Sequence, residues 1–248
     1  MDNAPYNGTS TFIQKSTVPI GAMYNEYPTL EYAERLLMNR PLNLLGNLVD
    51  TPVHSQLQRM PDNVFSVTPS VFPINAYIMA NVAHYSIGQG DFQLTALQNA
   101  LTSSTVLNNG EMYFPSIVRS VEFKGDRQEK GEIISPDPVK GKIRVYSASV
   151  AEEIKEAMRQ VVLRGTAGGV FGELKTDREF FAKTGTAETG VYKDNSIFTG
   201  FVKFRDGSHT VFSVIVPRAG LGARIAGKLT ASIIGKIIEY ENKKGKKL

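Results

Sequence analysis

The chain has 248 residues, 42% hydrophobic and 21% charged, with no Cys and no Trp, a globular composition that excludes disulfide scaffolds, thiolate metal sites and cysteine nucleophiles. Lys and Arg outnumber Asp and Glu by 28 to 24, but segment 241–248 holds four Lys against one Glu, so it reads as a basic, disordered tail on a near-neutral body (1–240). That balance argues against a nucleic-acid-binding surface.

The N-terminus, Met1-Asp2-Asn3-Ala4-Pro5, has neither the basic nor the apolar region of a signal peptide. No apolar run approaches the ~18 residues of a membrane span. Leu30, Ala33, Leu36 and Leu37 recur at helical spacing, predicting a short helix over 29–37. Pro, Asn, Asp and Ser breakers make 41–73 irregular. Ser86-Ile87-Gly88-Gln89-Gly90 is a turn ahead of a helix over 96–107, with Thr95 and Gln98 as a capping box and Asn108-Asn109-Gly110 as its stop. Short strands and turns fill 111–143, with a polar loop at 125–131. A second helix is expected from Ser149, with Ser149 and Glu152 as a capping box. Its buried stripe would be Val150, Ile154, Ala157, Met158, Val161 and Val162. Strands follow over 180–186, 197–204 and 210–217, the last two joined across Arg205-Asp206-Gly207-Ser208-His209, a turn containing Asp-Gly. Residues 222–242 form a long amphipathic helix with Ile225, Leu229, Ile233, Ile237 and Tyr240 on one face. Strands followed by a helix imply an antiparallel sheet covered by helices.

Three His, at 54, 84 and 209, stand far apart and no H-E-x-x-H occurs, so no metal site and no cofactor are expected. Neither G-x-x-x-x-G-K-[ST] nor G-x-G-x-x-G is present. Gly165-Thr166-Ala167-Gly168-Gly169 follows a helix, not a strand, and reads as a flexible connector. The sharpest signal is Lys183-Thr184-Gly185-Thr186 on a strand. Lys183 supplies a fixed positive charge, and the hydroxyls of Thr184 and Thr186 donate hydrogen bonds, a combination suited to a carboxylate. Gly185 lets an extended peptide or rigid ring approach the strand, and free edge N–H groups can serve an oxyanion.

K-T-G is the third motif of penicillin-binding proteins and class A β-lactamases, and its surroundings extend the likeness. Gly88-Gln89-Gly90 with Leu94-Thr95-Ala96-Leu97-Gln98 resembles the "GQG … TPLQ" segment of penicillin-binding transpeptidases, with Ala96 where Pro is usual. Asn108-Asn109-Gly110 followed by Pro115 resembles "ANGG … P". Phe181-Ala182-Lys183-Thr184-Gly185-Thr186-Ala187-Glu188 resembles "AGKTGTAE", with Ala182 for Gly. The resemblance implies an α/β fold of the β-lactamase/transpeptidase type, a five-stranded antiparallel sheet flanked by helices. This chain would be its incomplete, C-terminal portion. The resemblance also implies peptidoglycan D,D-transpeptidase activity, a D-Ala-D-Ala stem peptide and β-lactams as ligands, and a place on the extracytoplasmic face of the bacterial inner membrane. Lys183 would hold the ligand carboxylate electrostatically, Thr184 and Thr186 by hydroxyl, and the Thr186 N–H would serve the oxyanion.

No Lys in the chain has Ser or Thr three residues before it, and no S-x-N occurs. Pro5-Tyr6-Asn7 stands about where the second motif would fall. The family's acylated Ser and its activating Lys are therefore missing, and no catalytic residue is assigned. Two readings stay open: a fragment or split form of a transpeptidase working with an upstream segment, and a non-catalytic binding or scaffold module of a cell-wall assembly. A β-lactamase ranks below both, since no deacylating Glu can be placed.

Overall fold

A computed structural model describes residues 28–46, 66–73, 84, 87–122, 133–136, 141–175 and 178–244. Pro5-Tyr6-Asn7, the 125–131 loop and most of the irregular 41–73 stretch lie outside the described residues. No helix among the described residues is long and apolar enough to cross a membrane.

Helix α1, Pro28–Arg35, ends where Leu37 and Asn39 take left-handed φ values of 59° and 61°. Strands β1, Leu42–Asn43, and β2, Ser66–Val67, pair briefly. Helix α2, Ala96–Leu107, starts where the Thr95 hydroxyl accepts from the Gln98 N–H at 3.2 Å. Only this half of the expected capping box forms. The fully buried Gln98 side chain turns away and donates to the Leu36 carbonyl, tying α2 to the end of α1. Strands β3, Glu111–Tyr113, and β6, Lys142–Arg144, pair antiparallel, as do β4, Val121–Glu122, and β5, Ile133–Ile134. Leu37, Leu42, Leu101, Met112 and Val145 close one apolar core here.

Helix α3, Ala148–Leu163, corrects two expectations. Its cap is Ser147, whose hydroxyl accepts from the Val150 N–H at 3.3 Å. Its buried stripe is Ala151, Lys155, Met158 and Val162, whereas Val150, Ile154 and Ala157 face out. The periodicity misleads because Lys155 occupies a core position. Its stem is buried while its ammonium donates to Glu152 and, at 3.1 Å, to the Asn109 side-chain oxygen, so a charged residue completes an apolar stripe.

The final third is an antiparallel sheet in the order β7–β8–β9, formed by Glu179–Ala187, Asn195–Lys203 and His209–Val216. Successive strand residues point to opposite faces, and both faces are covered. Phe180, Phe198 and Phe212 pack on one face with Phe171 and with Ala226, Ile234 and Ile238 of the C-terminal segment. Phe181 and Phe201 stack at 4.6 Å on the other face and pack on Val106 of α2 and Met158 of α3. Segment 164–175 therefore carries the chain from one face to the other past β7, and its Phe171 ring stacks on Phe180 at 4.0 Å.

Helix α4, Lys228–Lys243, follows a wide π-type turn, Ala223–Gly227. The helix includes the first residues of the basic segment. Its start is capped from a distance by the buried Ser196 of β8. That hydroxyl donates to the Leu221 carbonyl at 3.0 Å and accepts from the Ala226 N–H at 3.0 Å. The packed face is Ala226, Thr230, Ile234 and Ile238, not the one expected: Ile225, Leu229, Ile233 and Tyr240 stand exposed, and of that set only Ile237 touches the core. Both sets have helical spacing, so periodicity alone could not choose between them. Small residues decide it. Gly222 lies so close to β7 and β8 that a Cβ there would meet the Gly185 carbonyl oxygen at 2.4 Å and the Ile197 carbonyl oxygen at 2.6 Å. This approach turns the small Ala226 and Gly227 inward and Ile225 outward.

Two stability measurements check this arrangement. Ile234 is 2% exposed and Ile233 44%, so in urea unfolding Ile234→Ala should cost about 2–5 kcal/mol and Ile233→Ala no more than about 0.5 kcal/mol. Equal losses would return the helix to the expected face. Gly222→Ala places a methyl against backbone that has no freedom to move aside. It should cost about 1–3 kcal/mol and displace the amide resonances of Gly185 and Thr186.

Candidate functional site

Lys183, Thr184, Gly185 and Thr186 all lie in the C-terminal half of β7, where the strand emerges from its core. Phe180, Phe181 and Ala182 are buried, Lys183 is exposed, and the three residues after it are half-buried. The pleat separates the charge from the hydroxyls. Thr184 and Thr186 share the face of Phe180, and Lys183 shares that of Phe181. They meet only at the strand edge, where the Lys183 ammonium bends over to donate to the Thr184 carbonyl at 2.6 Å. In β7, Lys183 and Gly185 stand opposite Thr199 and Ile197 of β8. Thr184 and Thr186 turn their carbonyls to the other edge of β7, which pairs with no strand among the described residues. A strand residue presents its N–H and C=O to the same side, so the Thr186 N–H faces that edge as well.

Each hydroxyl already has a neighbour. The Thr184 and Thr166 hydroxyls lie 2.9 Å apart. The Thr186 hydroxyl accepts from the Gly222 N–H at 3.4 Å, leaving its own proton to give. Gly185 fits for a reason other than the one expected. A Cβ there would press on the Ile197 side chain at 3.1 Å, so the missing side chain serves contacts within the sheet as well as any approach from the edge.

One side chain imitates a fourth strand. The Gln89 amide donates to the Thr186 carbonyl at 3.0 Å and accepts from the Glu188 N–H at 3.3 Å. Its own backbone N–H donates to the His84 carbonyl at 2.9 Å. The glycines on either side of it, Gly88 and Gly90, have φ values of 75° and 79° that other residues rarely adopt. The Gly-Gln-Gly signal was visible in the sequence, but its contact with β7 was not. Segment Val162-Leu163-Arg164-Gly165-Thr166-Ala167 resembles the family's stretch before the third motif, but Thr166 itself carried no expected role, because the glycines around it read as a connector. Among the described residues no three His, Cys, Asp or Glu lie close enough to hold a metal ion.

Comparison with known proteins gives one answer at three levels. The sequence profile of the "Penicillin binding protein transpeptidase domain" family matches residues 64–239. Penicillin-binding protein H of Bacillus subtilis (strain 168) is 30% identical over 172 residues, covering 65% of this chain and 24% of that protein. Penicillin-binding protein 3 of Mycobacterium tuberculosis, in its apo form, superposes with a TM-score of 0.58 at 21% identity, covering 87% of this chain and 47% of that one. Penicillin-binding protein A of M. tuberculosis, solved as an imipenem acyl-enzyme complex, gives 0.54 at 24% identity, covering 84% and 41%. The likenesses to solved structures carry the fold. The chain spans about a quarter of the curated relative and less than half of these two solved chains. The profile match, which takes in the sheet and the helices packed on both its faces, shows that the chain belongs to the penicillin-binding protein transpeptidase domain family.

Proposed function

We propose that the outer edge of β7 is the ligand-holding strand of a D,D-transpeptidase, taking the D-Ala-D-Ala end of a peptidoglycan stem peptide or a β-lactam in its place. The observation that carries this reading is the convergence at one open edge of the Lys183 ammonium and the Thr184 and Thr186 carbonyls, with a hydroxyl on each threonine. A carboxylate near Thr184 would exchange the Lys183–carbonyl hydrogen bond for one to an oppositely charged acceptor. The Thr186 N–H, facing outward, would donate to the oxygen of a carbonyl under attack. Gln89 occupies the edge just beyond, at the Thr186 carbonyl and the Glu188 N–H, and so marks where pairing with an extended ligand ends. A cell-wall peptide as ligand places the working site on the extracytoplasmic side of the inner membrane.

The nucleophile is a separate matter. With no S-x-x-K among the 248 residues, a polypeptide of this sequence has the groups to hold a ligand and lacks the family's group that attacks it. Acylation would require a serine from outside these residues. Its absence from this sequence is also what keeps a non-catalytic cell-wall binding module as the second reading.

Two experiments test the assignment. Titration with an N-acylated D-Ala-D-Ala peptide should show non-covalent binding that Lys183→Ala weakens by about 1.5–3 kcal/mol, the range for a hydrogen bond to a charged group. Equal affinities would remove Lys183 from the ligand site. Incubation with a fluorescent penicillin should leave no labelled band after denaturing electrophoresis, and a surviving band would mean that an acylable serine lies elsewhere in the chain.

A further inference from the structure

We propose that Thr166 is a positioning residue that aims the Thr184 hydroxyl at the ligand carboxylate; this rests on the reading of β7 given above. Thr184 has one hydroxyl proton and two lone pairs, and the Thr166 hydroxyl stands 2.9 Å from it. Two arrangements are open. If Thr184 donates to Thr166, its only proton is spent and it meets a carboxylate, itself a pure acceptor, with lone pairs alone. If Thr166 donates, the Thr184 proton must point elsewhere and is free for the edge. A bound carboxylate selects the second arrangement, and the relay from Thr166 through Thr184 to the carboxylate is polarised in one direction, each bond strengthening the next.

Thr166 is suited to this because its backbone is fixed on both sides. Before it, the Gly165 N–H donates to the Gln160 carbonyl at 3.0 Å. A Cβ on Gly165 would lie 2.8 Å from the Val161 Cα, so no larger residue lets the chain leave α3 this way. After it, the Ala167 N–H donates to the Val161 carbonyl at 3.1 Å, and Ala167 is wholly buried. Farther along, Phe171 stacks on Phe180 of the same strand that carries Thr184. The Lys175 ammonium holds the Gly168 carbonyl at 2.8 Å. The segment that reads as a flexible connector in sequence is thus a braced turn around β7. Its one hydroxyl residue touches the one hydroxyl of the K-T-G motif.

The full 248-residue chain is compared with Thr166→Val and Thr166→Ser in three ways. Without ligand, three-bond couplings to the Thr184 methyl should report a single χ1 rotamer in the wild type and Thr166→Ser and an averaged one in Thr166→Val. With an N-acylated D-Ala-D-Ala peptide, Thr166→Val should weaken binding about ten-fold, Thr166→Ser should restore it, and the C-terminal amide of the same peptide should bind both variants alike. The melting temperatures of the three proteins should agree. An unchanged Thr184 rotamer in Thr166→Val overturns the proposal whether or not the peptide binds. So does a loss of affinity that Thr166→Ser fails to restore. Insensitivity of peptide binding to Lys183→Ala would instead overturn the reading of the site and leave the rotamer result to decide the role of Thr166.

Discussion

Phe180 and Phe181 are neighbours on β7 and are buried on opposite faces of the sheet. A strand alternates its side chains with a period of two, so anchoring these two rings leaves no choice for the residues that follow. Thr184 and Thr186 must lie on the Phe180 face and Lys183 on the Phe181 face. A slip of one residue would exchange the positions of charge and hydroxyls. At roughly 1.5–3 kcal/mol for each fully buried large apolar side chain, the stacked rings Phe171–Phe180 and Phe181–Phe201 make such a slip costly. The geometry of the exposed half of the strand is therefore set by its buried half.

The open edge of that strand would ordinarily be a hazard, because unpaired N–H and C=O groups invite another strand. Here the exposure is limited by side chains, one from β7 itself and two from elsewhere in the chain. Gln89 pairs with the far end as a strand would, Lys183 folds onto the Thr184 carbonyl, and the turn after α3 braces the near end. What remains open is short and carries positive charge beside two hydroxyls. A long extended chain finds little to pair with there among the described residues.

The exposed apolar stripe of α4 shows how the same helix can satisfy two different patterns. Ile225, Leu229 and Ile233 recur as regularly as Ala226, Thr230 and Ile234. The deciding contacts are between backbones: Gly222 against Gly185 and Ile197, and Ser196 holding the first turn. In α3 the misleading feature runs the other way, with a lysine among the core residues because Asn109 and Glu152 receive its charge.

Much was legible beforehand. The three long strands, the turn between the last two, the helix capped by Thr95 and the family likeness around Lys183-Thr184-Gly185-Thr186 all rest on local signals: alternation, caps, turn residues and short motifs. Those signals arise from interactions within a few residues, which is why one sequence suffices to see them. The sequence also determined, by what it omits, that the nucleophile motif is not among these residues. Which face of α3 and of α4 is buried, where Gln89 reaches and what Thr166 touches were decided only by tertiary structure. Each depends on groups separated by many positions: 18 between Thr166 and Thr184, 97 between Gln89 and Thr186, 30 between Ser196 and Ala226. No local pattern encodes a contact of that span. It exists because the sheet, once its two faces are covered, gathers distant segments onto those faces and along its β7 edge.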